Sequence, residues 1–600
     1  MQMIERYTVL FDKFGSSDGK VGMTAEVSLE QLAETLYCTV RNVKLIIRRL
    51  EEEGWIQWQA GRGRGNLSRL TFLADKDNLV LEHAQQHAER GEYKQAFDLL
   101  HAYSEETQVK SKFMDWLDTQ FGYRTESWQG KNEADMLRFP VYRPINTLDT
   151  GELVYAFDSH MARQIFDRLV QYDAVRSHFS PSIAHTWEHN EDASVWTFYL
   201  RKGIQFHHGR ELVAEDVVFT LERLRTGKIQ SWMMRTLDRV EKLSDYAVRI
   251  HLTRSNWLFL RFLCSASLSI LPWDLGGLSE EHYWRLPLGT GPFRIIEWTE
   301  NQCVLQAHHA YFQGRPHLDG VIIAFIPDEK ACQPKDTQWP RLMYGHDHKE
   351  TTTDAEWKRI EWLSRGCNLI HWNMRKDGPQ RSLAFRRALD LLLDRQRMIQ
   401  ELGEDRMYPA RGFYPDDNTP YEHDMFDPDY ALTMLREAGY DGKPITIMTR
   451  KVHEIDLLWL QQYFAEFGIT IEVQIETWQS IRHPDILMKA DGILNEFVLA
   501  EEEVCLLEMY EQEGGLAQEF MPGDFNRWIS SRIDRTLECQ NAAERWVHLS
   551  AIERRIHDEG VILFLLHKNL NTQFHQSVRG VGMNSLGWID FKDVWVAAIS

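Results

Sequence analysis

Six hundred residues exceed what one hydrophobic core organises, so several domains are expected. A composition of 43% hydrophobic and 26% charged residues is ordinary for a folded soluble chain and argues against disorder. The formal charge of −21 excludes a general nucleic-acid coat, so any DNA contact must come from a local basic patch.

The first residues carry charge at Glu5, Arg6, Asp12 and Lys13. They lack the apolar run and small-residue cleavage site of a signal peptide, which makes a cytoplasmic chain the expectation. Ser28-Leu-Glu-Gln31 is a capping-box pattern. Leu29, Leu32, Ala33 and Leu36 follow on one face of a short helix. Tyr37 and Cys38 form a break, and Thr39 can cap a second helix whose buried stripe is Val40, Val43, Ile47 and Leu50. Its other faces carry Arg41, Asn42, Lys44 and Arg48. Gly54 can end it in a left-handed conformation. Trp55–Trp58 and Arg69–Leu73 look like two strands around the tip Gly61-Arg-Gly-Arg-Gly-Asn66.

Helix, turn, basic helix and two-stranded wing is the order of a winged helix-turn-helix, here over residues 1–75. From Thr39 to Phe72 there are seven Lys or Arg and three Asp or Glu, a local +4, which leaves −25 for the remainder. A basic island on an acidic chain suits a reader that touches double-stranded DNA with one face. Arg41, Asn42 and Lys44 are the candidates for base edges, and Arg48, Arg62, Arg64 and Arg69 for phosphates, with Thr39 at the helix start. A winged module can also serve as a plain protein-docking unit.

Residues 76–135 read as an amphipathic helical connector, either a spacer or a dimerisation hairpin. Within it Glu89–Leu100 has the look of half a tetratricopeptide repeat, too little for a solenoid. Beyond Phe139 strand-like and helix-like patterns alternate, and 18 of the 21 tryptophans lie beyond residue 120. That pattern fits an α/β architecture with an aromatic cleft. Val561–Leu566 is strand-length and too short for a membrane span. Seven cysteines, odd in number and without C-x-x-C spacing, read as reduced structural thiols. No metal site and no cofactor is expected.

Trp196-Thr-Phe-Tyr-Leu-Arg-Lys-Gly-Ile-Gln-Phe-His-His-Gly-Arg-Glu-Leu-Val-Ala-Glu-Asp-Val-Val-Phe-Thr220 closely resembles the segment that marks oligopeptide/dipeptide/nickel-type solute-binding proteins of ABC importers. Tyr142–Asp149, Leu288–Arg294, Ala384–Arg395 and Leu435–Gly442 resemble four further landmarks, in the correct order. The resemblance implies a two-lobed, periplasmic-binding-protein-like clamshell over 136–600. It would place lobe I at about 136–330 and 560–600, and lobe II at about 331–559. The winged module ending in Ala60–Leu73 and the tail Ser577–Lys592 are similar to the SgrR-type regulators. That likeness spans nearly the whole chain. It implies a cytoplasmic transcription regulator with a small effector, read here as a sugar, phosphosugar or peptide-like solute. No enzymatic role is expected, and because one winged domain contacts few bases, a homodimer on DNA is the expectation.

In the peptide-binding relatives a Gly-Trp-x-x-Asp stretch supplies the acid that holds the peptide amino group. Ala490–Val498 occupies the matching region, where the tryptophan and the spaced acid read as missing and Asn495 and Glu496 stand nearby. An amide there suits hydroxyls better than an ammonium. Trp372, Asn373 and Trp478 are further candidates for the cleft. His185-Thr-Trp-Glu-His189 fits the H-x-x-E-H pattern of some zinc peptidases, which would need a helix. His207-His208 and His308-His309 are better read as turn histidines than metal ligands, because neighbouring strand residues point to opposite faces. Nucleotide-binding glycine loops are absent. The competing reading is a transport-associated solute-binding protein whose N-terminal module docks on protein.

Overall fold

Ile4, Tyr7, Leu10 and Phe11 recur at helical spacing, and they bury one face of a first helix, α1 (Met3–Phe14). The computed structural model describes residues 3–15, 21–61, 67–103, 107–141, 144–173, 176–327, 357–363, 366–403, 405–415, 426–499, 503–575, 577–582, 584 and 588–597. After α1 come β1 (Thr24–Val27), α2 (Leu29–Thr35), α3 (Val40–Glu52), β2 (Ile56–Gln59) and β3 (Ser68–Phe72). The strands form an antiparallel sheet in the order β1-β3-β2. β1 is an addition to the expected two-stranded wing.

The local signals for α2 and α3 act as expected. Ser28 Oγ accepts from the Gln31 N–H at 3.1 Å, and the Ser28 N–H donates to Gln31 Oε1 at 2.8 Å. Thr39 Oγ1 accepts from the Asn42 N–H at 3.4 Å. Gly54 (φ 73°) ends α3. Its N–H donates to Glu51 O and that of Trp55 to Leu50 O, both at 3.0 Å, which satisfies two terminal carbonyls. The buried stripe of α3 is Val43, Ile46, Ile47 and Leu50. Val40, expected in it, is only half-buried in the first turn.

The connector departs from expectation twice. Helices α4 (Lys76–Glu89), α5 (Tyr93–Tyr103) and α6 (Thr107–Asp118) do not stand apart as a spacer. Val80, Ala84, Phe97, Phe113 and Leu117 share one core with Tyr7, Leu50 and Phe72 of the winged module and with Ala324 and Ile326 further along the chain. The expected helix also stops short of 135. Strands β4 (Gly122–Trp128) and β5 (Lys131–Val141) form a hairpin there. Gln129 and Gly130 turn it with φ of 47° and 83°, the left-handed pair that matches strand twist.

This hairpin belongs to the first lobe. Strands β6 (Val170–Asp173) and β7 (His178–Pro181) pair with each other. Strands β8 (Ala184–His189), β9 (Val195–Leu200), β10 (Leu237–Ser244) and β11 (Ala247–Leu252) form a four-stranded sheet in the order β10-β11-β9-β8. The larger sheet adds β12 (Phe293–Trp298), β13 (Gln302–Ala307) and β14 (Gly320–Phe325) in the order β12-β13-β14-β5-β4. The hairpin that follows α6 therefore forms one edge of the first lobe.

The second lobe holds β15 (Trp357–Leu363), β16 (Gly366–Trp372), β17 (Arg406–Pro409), β18 (Ile445–Thr449), β19 (Ile471–Ile475), β20 (Gly492–Val498) and β21 (Ile562–His575), in the order β15-β21-β16-β20-β18-β19, with β17 on β21. One face packs on the helices Leu383–Leu392, Pro428–Glu437 and Glu454–Ala465. The other packs on Glu503–Glu511, Gly523–Glu538 and Ala542–Glu559.

The expected return to lobe I near 560 falls later. The first part of β21 is a central strand of the second sheet, paired to β16, and its far part pairs with β15. Only from Phe574 onward do Val578, Phe591 and Val594 join the first-lobe core. The run Val561–Leu566 is apolar because that strand is buried on both faces. The outward crossing expected near 330 lies outside the described residues. Among the described residues no helix is long and apolar enough to cross a membrane.

Candidate functional site

Two surfaces carry the candidate residues. On α3, Thr39 supplies the cap, and Arg41, Lys44 and Arg48 extend into solvent along one helix. Asn42 is half-buried, and its N–H is used by the cap. Arg48 Nε lies 2.8 Å from Glu52 Oε1, so part of its charge is answered within the helix. Arg69 is exposed on a face of β3, the middle strand of the sheet, 3.7 Å from Glu26 on β1. Arg62 and Arg64 lie outside the described residues.

The other candidates lie in lobe II, and there they separate. Trp372 is 1% exposed and belongs to a core with Phe385, Leu389 and Leu460, so it packs the lobe instead of facing a cleft. Its ring also dictates Gly492, where a Cβ would come within 2.9 Å of Trp372. Asn373 is likewise interior. Its Nδ2 donates to Ala490 O at 3.1 Å, and its Oδ1 accepts from the N–H groups of Arg375 (3.0 Å) and Lys376 (3.2 Å). The Trp478 side chain lies outside the described residues.

Asn495 and Glu496 are neighbours on β20 and point to opposite faces of the sheet. Asn495 is on the side of Ile493, which packs with Met448 and Phe520. Glu496 is on the side of Leu494 and stands opposite Asn368. They do not converge on one ligand atom. Counted from Gly492, Glu496 occupies the fifth position of Gly-Trp-x-x-Asp, so the acid is present as a glutamate and only the tryptophan, here Ile493, is replaced.

Glu496 borders an interior charge cluster. Asp456 is fully buried, and its carboxylate accepts from Arg406 Nε at 2.7 Å, Lys568 Nζ at 3.1 Å and Asn368 Nδ2 at 3.3 Å. Burial pushes Asp456 up, but Lys568 and Arg406 outweigh it, and the net shift is downward. Burial lifts Glu496, and Lys568 and Arg450 only partly offset that. An upward-shifted carboxyl beside paired charges is a poor stand-alone anion for an ammonium group.

Sequence reasoning missed the residues that meet between the lobes. Gln230 Nε2 donates to Glu508 Oε1 at 2.6 Å and also to Leu153 O. Arg235 pairs with Glu511 at 2.8 Å, and Arg235 and Arg254 both pair with Asp534. Burial lowers the pKa of Arg482 in the second lobe, and the carboxylate of Glu152 in the first lobe works against that shift. These partners lie hundreds of positions apart and leave no local motif.

The peptidase reading is corrected by β8. His185–His189 forms a strand, so His185 and His189 are not presented as a helical pair, and Glu188 Oε1 accepts from Tyr199 Oη at 2.8 Å. His207 lies in a turn. Its Nδ1 accepts from the Gly289 N–H at 3.2 Å, and its Nε2 lies 3.1 Å from Gly291 O.

Residues 178–494 match the bacterial extracellular solute-binding proteins, family 5, middle part. Residues 2–123 match the N-terminal part of the sugar transport-related sRNA regulators. YhjP of Bacillus subtilis (strain 168) is 30% identical over 606 residues, covering 100% of both chains. The HTH-type transcriptional regulator SgrR of Photorhabdus laumondii is 27% identical over 600 residues, 96% of each chain. Among solved structures, the periplasmic binding protein DppA from Helicobacter pylori, in complex with the peptide STSA, has a TM-score of 0.65 at 20% identity, covering 77% of this chain and 98% of its own. The oligopeptide-binding protein AppA from Bacillus subtilis, in complex with a nonapeptide, has a TM-score of 0.63 at 20% identity over 77% and 99%. The two family matches stand in the same chain and in the same order as in those regulators, and the chain belongs to the SgrR-type family, an N-terminal regulator module joined to a family 5 solute-binding body.

Proposed function

We propose that the protein is a cytoplasmic, ligand-responsive transcriptional regulator. Its winged module (1–75), packed with helices α4–α6 in one core, binds promoter DNA, and the two-lobed body that begins with the β4–β5 hairpin senses a small solute. The single observation that carries this reading is the exposed cationic helix α3, fixed through one core to a solute-binding body. In this reading the exposed Arg41, Lys44 and Arg69 meet DNA, with Thr39 and Asn42 at the helix start and Arg48, Arg62 and Arg64 as further phosphate contacts. One winged domain contacts few bases, which favours two copies of the chain on an inverted repeat.

The effector class is a sugar, phosphosugar or peptide-like molecule. Asn495 and Glu496, on opposite faces of β20, are its proposed neighbours, together with Trp478. Binding shifts regulation only through unequal affinity for the open and closed lobes. The relatives are regulators and solute-binding proteins, which supports a non-enzymatic role.

The test is capture of sheared host DNA by the purified full chain, sequenced with and without added cell-extract metabolites. The expected result is enrichment of a few promoter regions that changes with the metabolites. A flat profile under both conditions overturns the DNA role and leaves the solute-binding body as the basis of function.

A further inference from the structure

The exposed side of α3 holds one residue that the charge argument leaves out. Val43, Ile46, Ile47 and Leu50 define the buried side. At 3.6 residues per turn, the line opposite that side runs through Arg41, Leu45, Arg48 and Glu52. Leu45 is 57% exposed and sits in the middle of this ridge, about one turn from Arg41 and from Arg48. It takes no part in the core that holds the winged module together.

A single exposed leucine on a protein surface calls for no explanation. This one lies at the centre of the basic ridge of a chain that is otherwise strongly acidic. In the major groove the 5-methyl of thymine is the apolar group on the base edges, while arginine suits the O6 and N7 of guanine. Glu52 limits the ridge at its C-terminal end, because its carboxylate holds Arg48 at 2.8 Å and repels phosphate. The reading stretch therefore runs from Arg41 to Arg48, about 10 Å, or roughly three base-pair rises.

We infer that Leu45 is a specificity-determining residue that packs against the 5-methyl of a thymine, within about three base pairs of a base contacted by Arg41. This inference rests on the DNA-binding reading above. Deleting the methyl, or the leucine side chain that covers it, costs recognition without removing a charge. The phosphate contacts and their salt dependence stay as they are.

The experiment selects double-stranded DNA from a random-sequence pool with the full-length protein. The enriched duplexes are then remade with deoxyuridine in place of one thymine at a time. At one position the wild type is expected to lose about fourfold in affinity, the worth of one buried methyl. Leu45→Ala binds the thymine and uracil duplexes equally, with an unchanged unfolding temperature. Leu45→Met, which keeps an apolar arm, retains the discrimination. Enrichment by the wild type with no thymine-to-uracil effect anywhere, or discrimination that survives in Leu45→Ala, overturns the assignment of Leu45 and leaves DNA binding standing. Failure of the wild type to enrich any duplex overturns the DNA-binding reading and this inference with it.

Discussion

The Trp257 N–H donates to the Leu537 carbonyl at 2.8 Å, which ties the four-stranded sheet of the first lobe to a helix of the second. Around this bond Arg235 and Arg254 converge on Asp534, and Arg235 also reaches Glu511 at 2.8 Å. These contacts pin the two lobes to each other. Replacing Asp534 with Ala leaves two arginines facing each other at a partly exposed site, a loss on the order of 1 kcal/mol for the closed arrangement. We expect solution X-ray scattering to give a larger radius of gyration for Asp534→Ala than for the wild type. Raised salt should move the wild type in the same direction. Identical scattering for both proteins under all conditions would mean that these ion pairs do not hold the lobes.

Asp456 offers a harsher test, because Arg406 and Lys568 are buried with it. Asp456→Ala strands two cations in the interior of the second lobe, a change that costs about 3–5 kcal/mol. Asp405, at 28% side-chain exposure and 3.3 Å from Arg406, has a lesser hold on the cluster. Its alanine variant should lose less than about 1 kcal/mol. Urea unfolding of the two variants measures the difference, and equal midpoints would refute the central role of Asp456.

Tyr37 holds a left-handed backbone (φ 51°), with its side chain 93% exposed, two residues before the cap of α3. The conformation costs a tyrosine about 1 kcal/mol or more, and no core contact repays it. Tyr37→Gly is therefore expected to keep or raise the unfolding temperature, although glycine also adds freedom to the unfolded chain. A marked drop in that temperature would show that the aromatic ring stabilises the turn after all.

Acid should weaken both lobes through buried histidines. Burial, with help from Arg163, lowers the pKa of His160 to about 3, and burial alone lowers that of His371 to about 4. Both rings stay neutral in the folded chain at mild pH, whereas an unfolded chain protonates histidine below about 6.5. Their contribution is complete above that value and is lost as the pH falls towards the folded pKa. At pH 5.5 each histidine accounts for roughly 1.4 kcal/mol of lost stability. Denaturation at pH 7.5 and 5.5 should show the decline, and replacement of His371 by a neutral residue of similar shape should reduce it in the second lobe.

The parts of this fold that were legible in the sequence are those whose cause is local. Ser28, Gln31, Thr39 and Gly54 act on groups within a few residues and could be read directly. β1 escaped because its four residues show no clear alternation, with only Val27 fully buried. The β4–β5 hairpin followed three amphipathic helices, and its turn residues Gln129 and Gly130 are a weak sequence signal. Family resemblance supplied the two lobes but placed the return too early, because β21 serves the second sheet before it leaves it. The cleft was the least legible part. Trp372 is an aromatic that the core needs, and the pairing of Arg235 with Asp534 has no trace in any short stretch of sequence.

The core that runs from Ile4 to Phe121 and takes in Ala324 and Ile326 also bears on how such a chain can be cut or recombined. A fragment ending at residue 75 would expose Trp55 and the side of α1 that α4 now covers, and it should aggregate or unfold. Even a cut after α6 would uncover the edge next to Ile326. The reader is therefore not an interchangeable cassette. Grafted onto another sensor it would need part of its old scaffold, and evolution would have to exchange the two as one inherited block.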